Sequence, residues 1–89
     1  MGKKKIDTTK KIEKNYTRLI TYYKRKRGLL RKAIELSNLC DQEMFLAIYD
    51  RTNKKLVTFQ SHEGFCSEFI PKLNEKAKVH ERYTNESYQ

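Results

Sequence analysis

Four consecutive cations, Lys24, Arg25, Lys26 and Arg27, stand at the head of the stretch TYYKRKRGLLRKAIELSNLC, Thr21 to Cys40. Ammonium and guanidinium groups crowded together on a scaffold serve best to pair with a polyanion. The count over the chain agrees. Residues 1–32 hold thirteen Lys or Arg against two Asp or Glu, a balance of +11. Residues 33–89 balance at −2, for a net charge of +9. A chain polarised in this way calls for a polyanionic partner for its first third.

Other chemistry is poorly supplied. Cys40 and Cys66 are far apart and belong to no CxxC motif, so with His62 and His80 they make no zinc set. They read as reduced thiols of an intracellular protein. There is no nucleophile elbow and no Gly-rich phosphate loop. No pair of acids stands apart from the salt-bridge background. Neither an enzyme, a catalytic residue, a metal nor a cofactor is expected. His62 reads as a residue of a capping region and His80 as a tail residue. No apolar run approaches a membrane span, and the N-terminus lacks a signal-peptide core.

The cations need elements to hold them. Residues 1–12 are polar and basic without a period, and Gly2 with the Thr pair favours an extended arm. From about Glu13 to Leu39 there is no Pro and one Gly. Tyr22, Leu29, Ala33, Leu36 and Cys40 recur at steps of three, four and seven along one helical face. Lys24, Arg27 and Arg31 trace another face, with Arg25 and Lys32 alongside. Glu43–Asp50 reads as a strand, apolar on both faces. Residues 51–54 carry turn chemistry, with Asn53 suited to a left-handed conformation, and Lys55–Gln60 is the return strand. Ser61 is placed to cap a second helix whose stripe is Phe65, Phe69, Ile70 and Leu73, kinked or divided by Pro71. After about Ala77 the tail is polar, with no clear period.

A hairpin apolar on both faces needs a layer below and a layer above, and two strands alone make a narrow, unstable sheet. Eighty-nine residues make one domain at most, with a marginal core of its own. Pairing two hairpins into four strands over two side-by-side helices resolves both problems. A symmetric dimer is therefore expected, with Tyr22, Leu29, Ala33, Leu36, Leu46 and Ile48 in its core. Two-fold symmetry suits a roughly palindromic duplex.

The spaced residues Thr21, Tyr22, Lys24, Arg25, Lys26, Gly28, Leu29, Lys32, Ala33, Glu35, Leu36, Ser37, Leu39, Cys40, Glu43 and Leu46 together resemble the core of a MADS-box domain. The start MGKKKI and the ending HERYTN are most similar to the myocyte enhancer factor 2 branch. The likeness is dense over residues 18–60, fair over 1–17 and loose over 61–89.

The resemblance implies an α+β dimer acting as a nuclear transcription factor domain on A/T-rich duplex DNA. Long basic helices lie antiparallel, hairpins join into a four-stranded antiparallel sheet, and second helices cap the top. It implies one domain, with residues 1–60 binding DNA and dimerising, residues 1–12 as an arm, and residues 61–89 completing it as a helical extension and tail. Lys24 would reach base edges, since Lys can donate to guanine O6 and N7. Arg25, Arg31 and Lys32 would contact phosphates, with Arg18 and Thr21 adding backbone contacts. Gly2, Lys3 and Lys5 would enter the minor groove. The resemblance also implies that Phe65, Phe69 and Leu73 could line a groove for a coregulator helix, although they serve equally as core. Two departures concern the arm. Lys3 stands where the family commonly has Arg, and the segment from Ile6 to Ile12 is one residue longer and includes Asp7.

Two other classes compete. A basic amphipathic helix can lie on anionic lipid, but a doubly apolar hairpin argues against a membrane. The alternative is a protein-interaction module with DNA binding secondary.

Overall fold

A run of 26 residues without proline, Asn15–Cys40, forms the helix α1 in the computed structural model, which describes residues 10–87. At a rise of about 1.5 Å per residue it extends about 39 Å. Lys14 precedes it in extended conformation without a side-chain cap, and Asp41 ends it in the left-handed region at φ 57°. The face that packs on the sheet steps through Lys26, Leu30, Ala33 and Ser37.

The strand β1, Phe45–Asp50, turns back through residues 51–54 into β2, Lys55–Gln60, as an antiparallel hairpin with Leu46 opposite Phe59. The expected hairpin is therefore present. The left-handed residue of its turn is Lys54, at φ 54°, and not Asn53. The reason is local: the Asp50 carboxylate accepts from the Thr52 and Asn53 backbone N–H groups and from Asn53 Nδ2, which holds Asn53 inside the turn.

After β2 the chain departs from expectation. Residues 61–66 are turns and bends, followed by a 3-10 turn at Ser67–Phe69 and the short helix α2, Ile70–Asn74. Ser61 caps no helix; its Oγ accepts from the Met44 backbone N–H at 3.0 Å. Gln60 Nε2 lies within hydrogen-bond reach of Glu63 O, Phe65 O and Ser67 Oγ, and Cys66 takes φ 59°. Those contacts hold the segment in a loop. Pro71 lies in the first turn of α2, where its missing N–H costs nothing, so it helps to begin a helix instead of dividing one.

The region read as an unpatterned tail forms a third strand. Residues Val79–Thr84, β3, pair in parallel with β2, in a sheet of order β1-β2-β3. His80 is thus a strand residue and not part of a tail. Register sets Glu81 beside Val57 and Tyr83 beside Phe59, on the face that α1 covers. The core there is Leu30, Ala33 and Phe59, with Ile34, Met44, Leu46 and Tyr83 packed against it.

The resulting α+β architecture leaves β1 at one edge. Its residues are only half-buried, with Ala47 exposed. In the single chain neither of its apolar faces is fully covered.

Candidate nucleic-acid interface

The stretch of α1 from Lys24 to Lys32 carries two kinds of cation. Lys24, Arg25, Arg27, Arg31 and Lys32 are exposed, on the sides of the helix away from the sheet. Lys24, Gly28, Arg31 and Lys32 succeed one another at steps of four, three and one, so they share one face of the helix over about two turns. Gly28 is the gap in that surface: a Cβ built there meets nothing within 4 Å. Lys32 also lies 3.8 Å from Glu35, an exposed i,i+3 pair that restrains it little.

The N-terminal end of α1 has the wrong polarity for an isolated helix. Its first turn contains no acid, and Lys14 and Arg18 flank its positive dipole end. Cations there typically cost about 0.3–1 kcal/mol each. An anion would relieve that repulsion while filling the unpartnered N–H groups. Arg18 is exposed and donates to Asn15 Oδ1 at 2.6 Å; Thr21 is half-buried.

Lys26 belongs to the same cation run and behaves differently. It is 7% exposed, and Nζ lies 3.2 Å from Glu81 Oε1. The rings of Tyr22, Tyr23 and Tyr83 surround it, with Nζ 5.2, 5.1 and 5.9 Å from their centroids. Glu81 Oε2 also takes Lys55 Nζ at 2.6 Å, and Tyr83 donates to Oε1 at 3.0 Å. The Glu81 carboxyl is pushed down from 4.5 to about 2, chiefly by the Lys55 bond, with Lys26 and Tyr83 adding and burial opposing. The same bond pushes the Lys55 ammonium up. Lys26 is thus neither a solvated charge nor a surface contact. The signal for this was its place four residues before Leu30 and seven before Ala33, which puts it in line with the packed face.

The expected dimer residues divide. Ala33 is buried and Tyr22 half-buried, yet Leu29 and Leu36 are 47% and 46% exposed. The fully buried leucine of α1 is Leu30, one position on. Leu29 and Leu36 therefore form a second apolar line, seven apart, unused by the chain's own sheet. Leu46 and Ile48 sit half-buried on the edge strand β1.

Phe65 is half-buried, while Phe69 and Leu73 are 56% and 37% exposed. Gly2, Lys3 and Lys5 lie outside the described residues. His62 pairs with Glu43. His80 Nε2 shares a hydrogen bond of 2.8 Å with Thr58 Oγ1, and burial, with Arg82 beside it, lowers the His80 pKa. Both cysteines are free, Cys40 exposed and Cys66 half-buried. Among the described residues no group of three or more His, Cys, Asp or Glu could hold a metal ion, and no helix is long and apolar enough to cross a membrane.

Residues 11–59 match the family model of SRF-type transcription factors, described as a DNA-binding and dimerisation domain. Over 85 residues the chain is 41% identical to the MEF2 transcription factor homolog of Caenorhabditis elegans, a match covering 96% of this chain and 24% of that protein. It is 41% identical over 85 residues to myocyte-specific enhancer factor 2C of Homo sapiens, covering 96% of this chain and 17% of the relative. For myocyte-specific enhancer factor 2A of Mus musculus the identity is 40% over 85 residues, with shares of 96% and 16%. The chain spans a quarter or less of the length of these relatives.

Proposed function

The chain belongs to the SRF-type, or MADS-box, family of transcription factors, in the branch of the myocyte enhancer factor 2 proteins, and is a DNA-binding domain; from that premise we propose how it grips DNA. Two copies join through the free edge of β1 and the Leu29–Leu36 line of α1. The paired sheet then has the hairpins of both protomers at its centre. The two α1 helices present their cations on one surface, and the dimer binds an A/T-rich, pseudo-palindromic duplex. Residues 1–89 act as one domain, with residues 1–12 as its arm and β3 completing the sheet.

The observation that carries this reading is the division of α1 into faces. Lys26, Leu30, Ala33 and Ser37 pack on the sheet, and Lys24, Arg25, Arg31 and Lys32 are exposed. Lys24 reads base edges near the ends of the site. Arg25, Arg31 and Lys32 bind phosphates and fix the register, with Arg18 and Thr21 at the backbone nearby. Gly2, Lys3 and Lys5 enter the A/T minor groove, where negative potential is concentrated. The domain acts in the nucleus. Exposure of Phe69 and Leu73 favours a second, subordinate contact there with an amphipathic coregulator helix.

Random-site selection with the purified chain tests the proposal. A two-fold related consensus with an A/T centre supports it. Recovery of unrelated sequences would refute sequence-specific reading.

A further inference from the structure

Lys26 is the member of the 24–27 cation run that turns inward, and its acid partner lies in β3, beyond the family match that ends at residue 59. The bridge joins three elements at one point. Lys26 comes from α1, Lys55 from the start of β2, and Glu81 from the middle of β3. Two of its three members are well sheltered, since the Lys26 and Lys55 side chains are 7% and 20% exposed and that of Glu81 is 33%. Such a pair is screened less by salt than a surface pair. Removing one partner leaves a sheltered charge without compensation.

Lys26 is next to Arg25 and two residues from Lys24. Successive residues of a helix are about 100° apart, so rotating α1 to bring Lys26 to water would swing Lys24 and Arg25 with it. β3 is an edge strand with no fully buried residue; beyond its ladder to β2 it docks through Tyr83 on the core, Glu81 on two lysines and His80 on Thr58. Strands of this kind lie at the low-stability end of a fold and can open locally.

We propose that Glu81 is a positioning residue for DNA binding: through Lys26 and Lys55, strand β3 fixes the rotation of α1 on the sheet and so sets the aim of Lys24 and Arg25, without touching DNA itself. This rests on the DNA-binding reading above. By linkage, if β3 docking favours DNA binding, DNA must favour β3 docking to the same degree.

The test uses the chain and two variants, Glu81→Gln and Lys26→Met. Each is titrated with an A/T-centred palindromic duplex and a scrambled duplex at several salt concentrations. Hydrogen exchange of the β3 amides is followed with and without DNA. Glu81→Gln should lose about tenfold in affinity for the palindromic duplex, within the range usual for coupled sites, and less for the scrambled one. Lys26→Met should keep the wild-type salt slope, because no phosphate contact is lost. In the wild type, DNA should raise the protection of β3; in Glu81→Gln that gain should shrink.

Wild-type affinity of Glu81→Gln for both duplexes would overturn the proposal. A salt slope shallower by about two per dimer in Lys26→Met would do so as well, by making Lys26 a phosphate contact. Indifference of β3 exchange to DNA in the wild type would overturn it even if a variant failed to fold. Should the wild type bind both duplexes equally, sequence-specific reading fails. The exchange measurement, made with either duplex, then still decides whether β3 and DNA are coupled.

Discussion

Lys26 Nζ and Glu81 Oε1 meet at 3.2 Å across 55 positions of sequence, joining the basic helix to the last strand of the sheet. The contact turns one of four consecutive cations inward among three tyrosine rings and leaves its neighbours exposed. Charge density in the sequence and charge on the exposed surface are therefore different quantities.

Acid should loosen β3 in two stages. The Glu81 carboxyl titrates at about 2 in the fold against an ordinary 4.5, so its contribution is full above 4.5 and is lost as pH falls toward 2. His80 acts higher up. Its pKa is lowered in the fold, so docking weakens as pH falls through the ordinary 6.5. Amide shifts of β3 followed by NMR should show both stages, and Glu81→Gln should remove only the lower one. Identical acid titrations of the two proteins would contradict this assignment.

Gly28→Ala should separate folding from binding. The position has open space for a methyl and no positive φ, so the free protein should gain about 0.5–1 kcal/mol through helix propensity. The methyl would also stand among Lys24, Arg31 and Lys32, and affinity for duplex DNA should fall. Denaturant melts and DNA titrations measure the two effects. Tighter DNA binding by the variant would show that this surface does not approach the duplex.

Leu36→Asp should abolish the dimer. Leu36 is 46% exposed in the single chain, and burying a leucine fully is worth about 1.5–3 kcal/mol. Symmetry makes the loss count twice. Equilibrium sedimentation at micromolar concentration should find a dimer for the wild type and a monomer or unfolded chain for the variant. A dimer of unchanged strength would remove the Leu29–Leu36 line from the interface.

Lys24→Ala and Arg25→Ala should fail differently. Losing a base contact should cost about 1–3 kcal/mol on the best site and relax preference at its outer base pairs. Losing a phosphate contact should weaken all sequences more evenly. Equal losses by both variants on specific and scrambled duplexes would erase the distinction between reading and positioning.

What could be read in the sequence followed from periodicity. Helix α1 and the hairpin announce themselves through apolar spacing, and their observed bounds, Asn15–Cys40 and Phe45–Gln60, lie close to those expected. The same signal misled at residues 61–69. Phe65 and Phe69 are four apart like a helix stripe, but the Gln60 amide holds the loop through backbone and hydroxyl oxygens. β3 left almost no trace. Its segment VHERYT docks through Glu81, His80 and Tyr83, polar groups whose partners in α1 and β2 are remote in sequence. The outward cations were recognisable by type, whereas the inward turn of Lys26 required the helix phase to be set by Leu30 instead of Leu29.

The most direct measurement is affinity for duplexes with A/T and G/C centres across a range of salt. If a dimer neutralises about six to ten phosphates, log K should fall against log salt with a slope of about −5 to −9. The A/T-centred duplex should bind more tightly throughout. A slope shallower than about −2, together with equal affinity for the two centres, would contradict a basic helix gripping A/T-rich DNA.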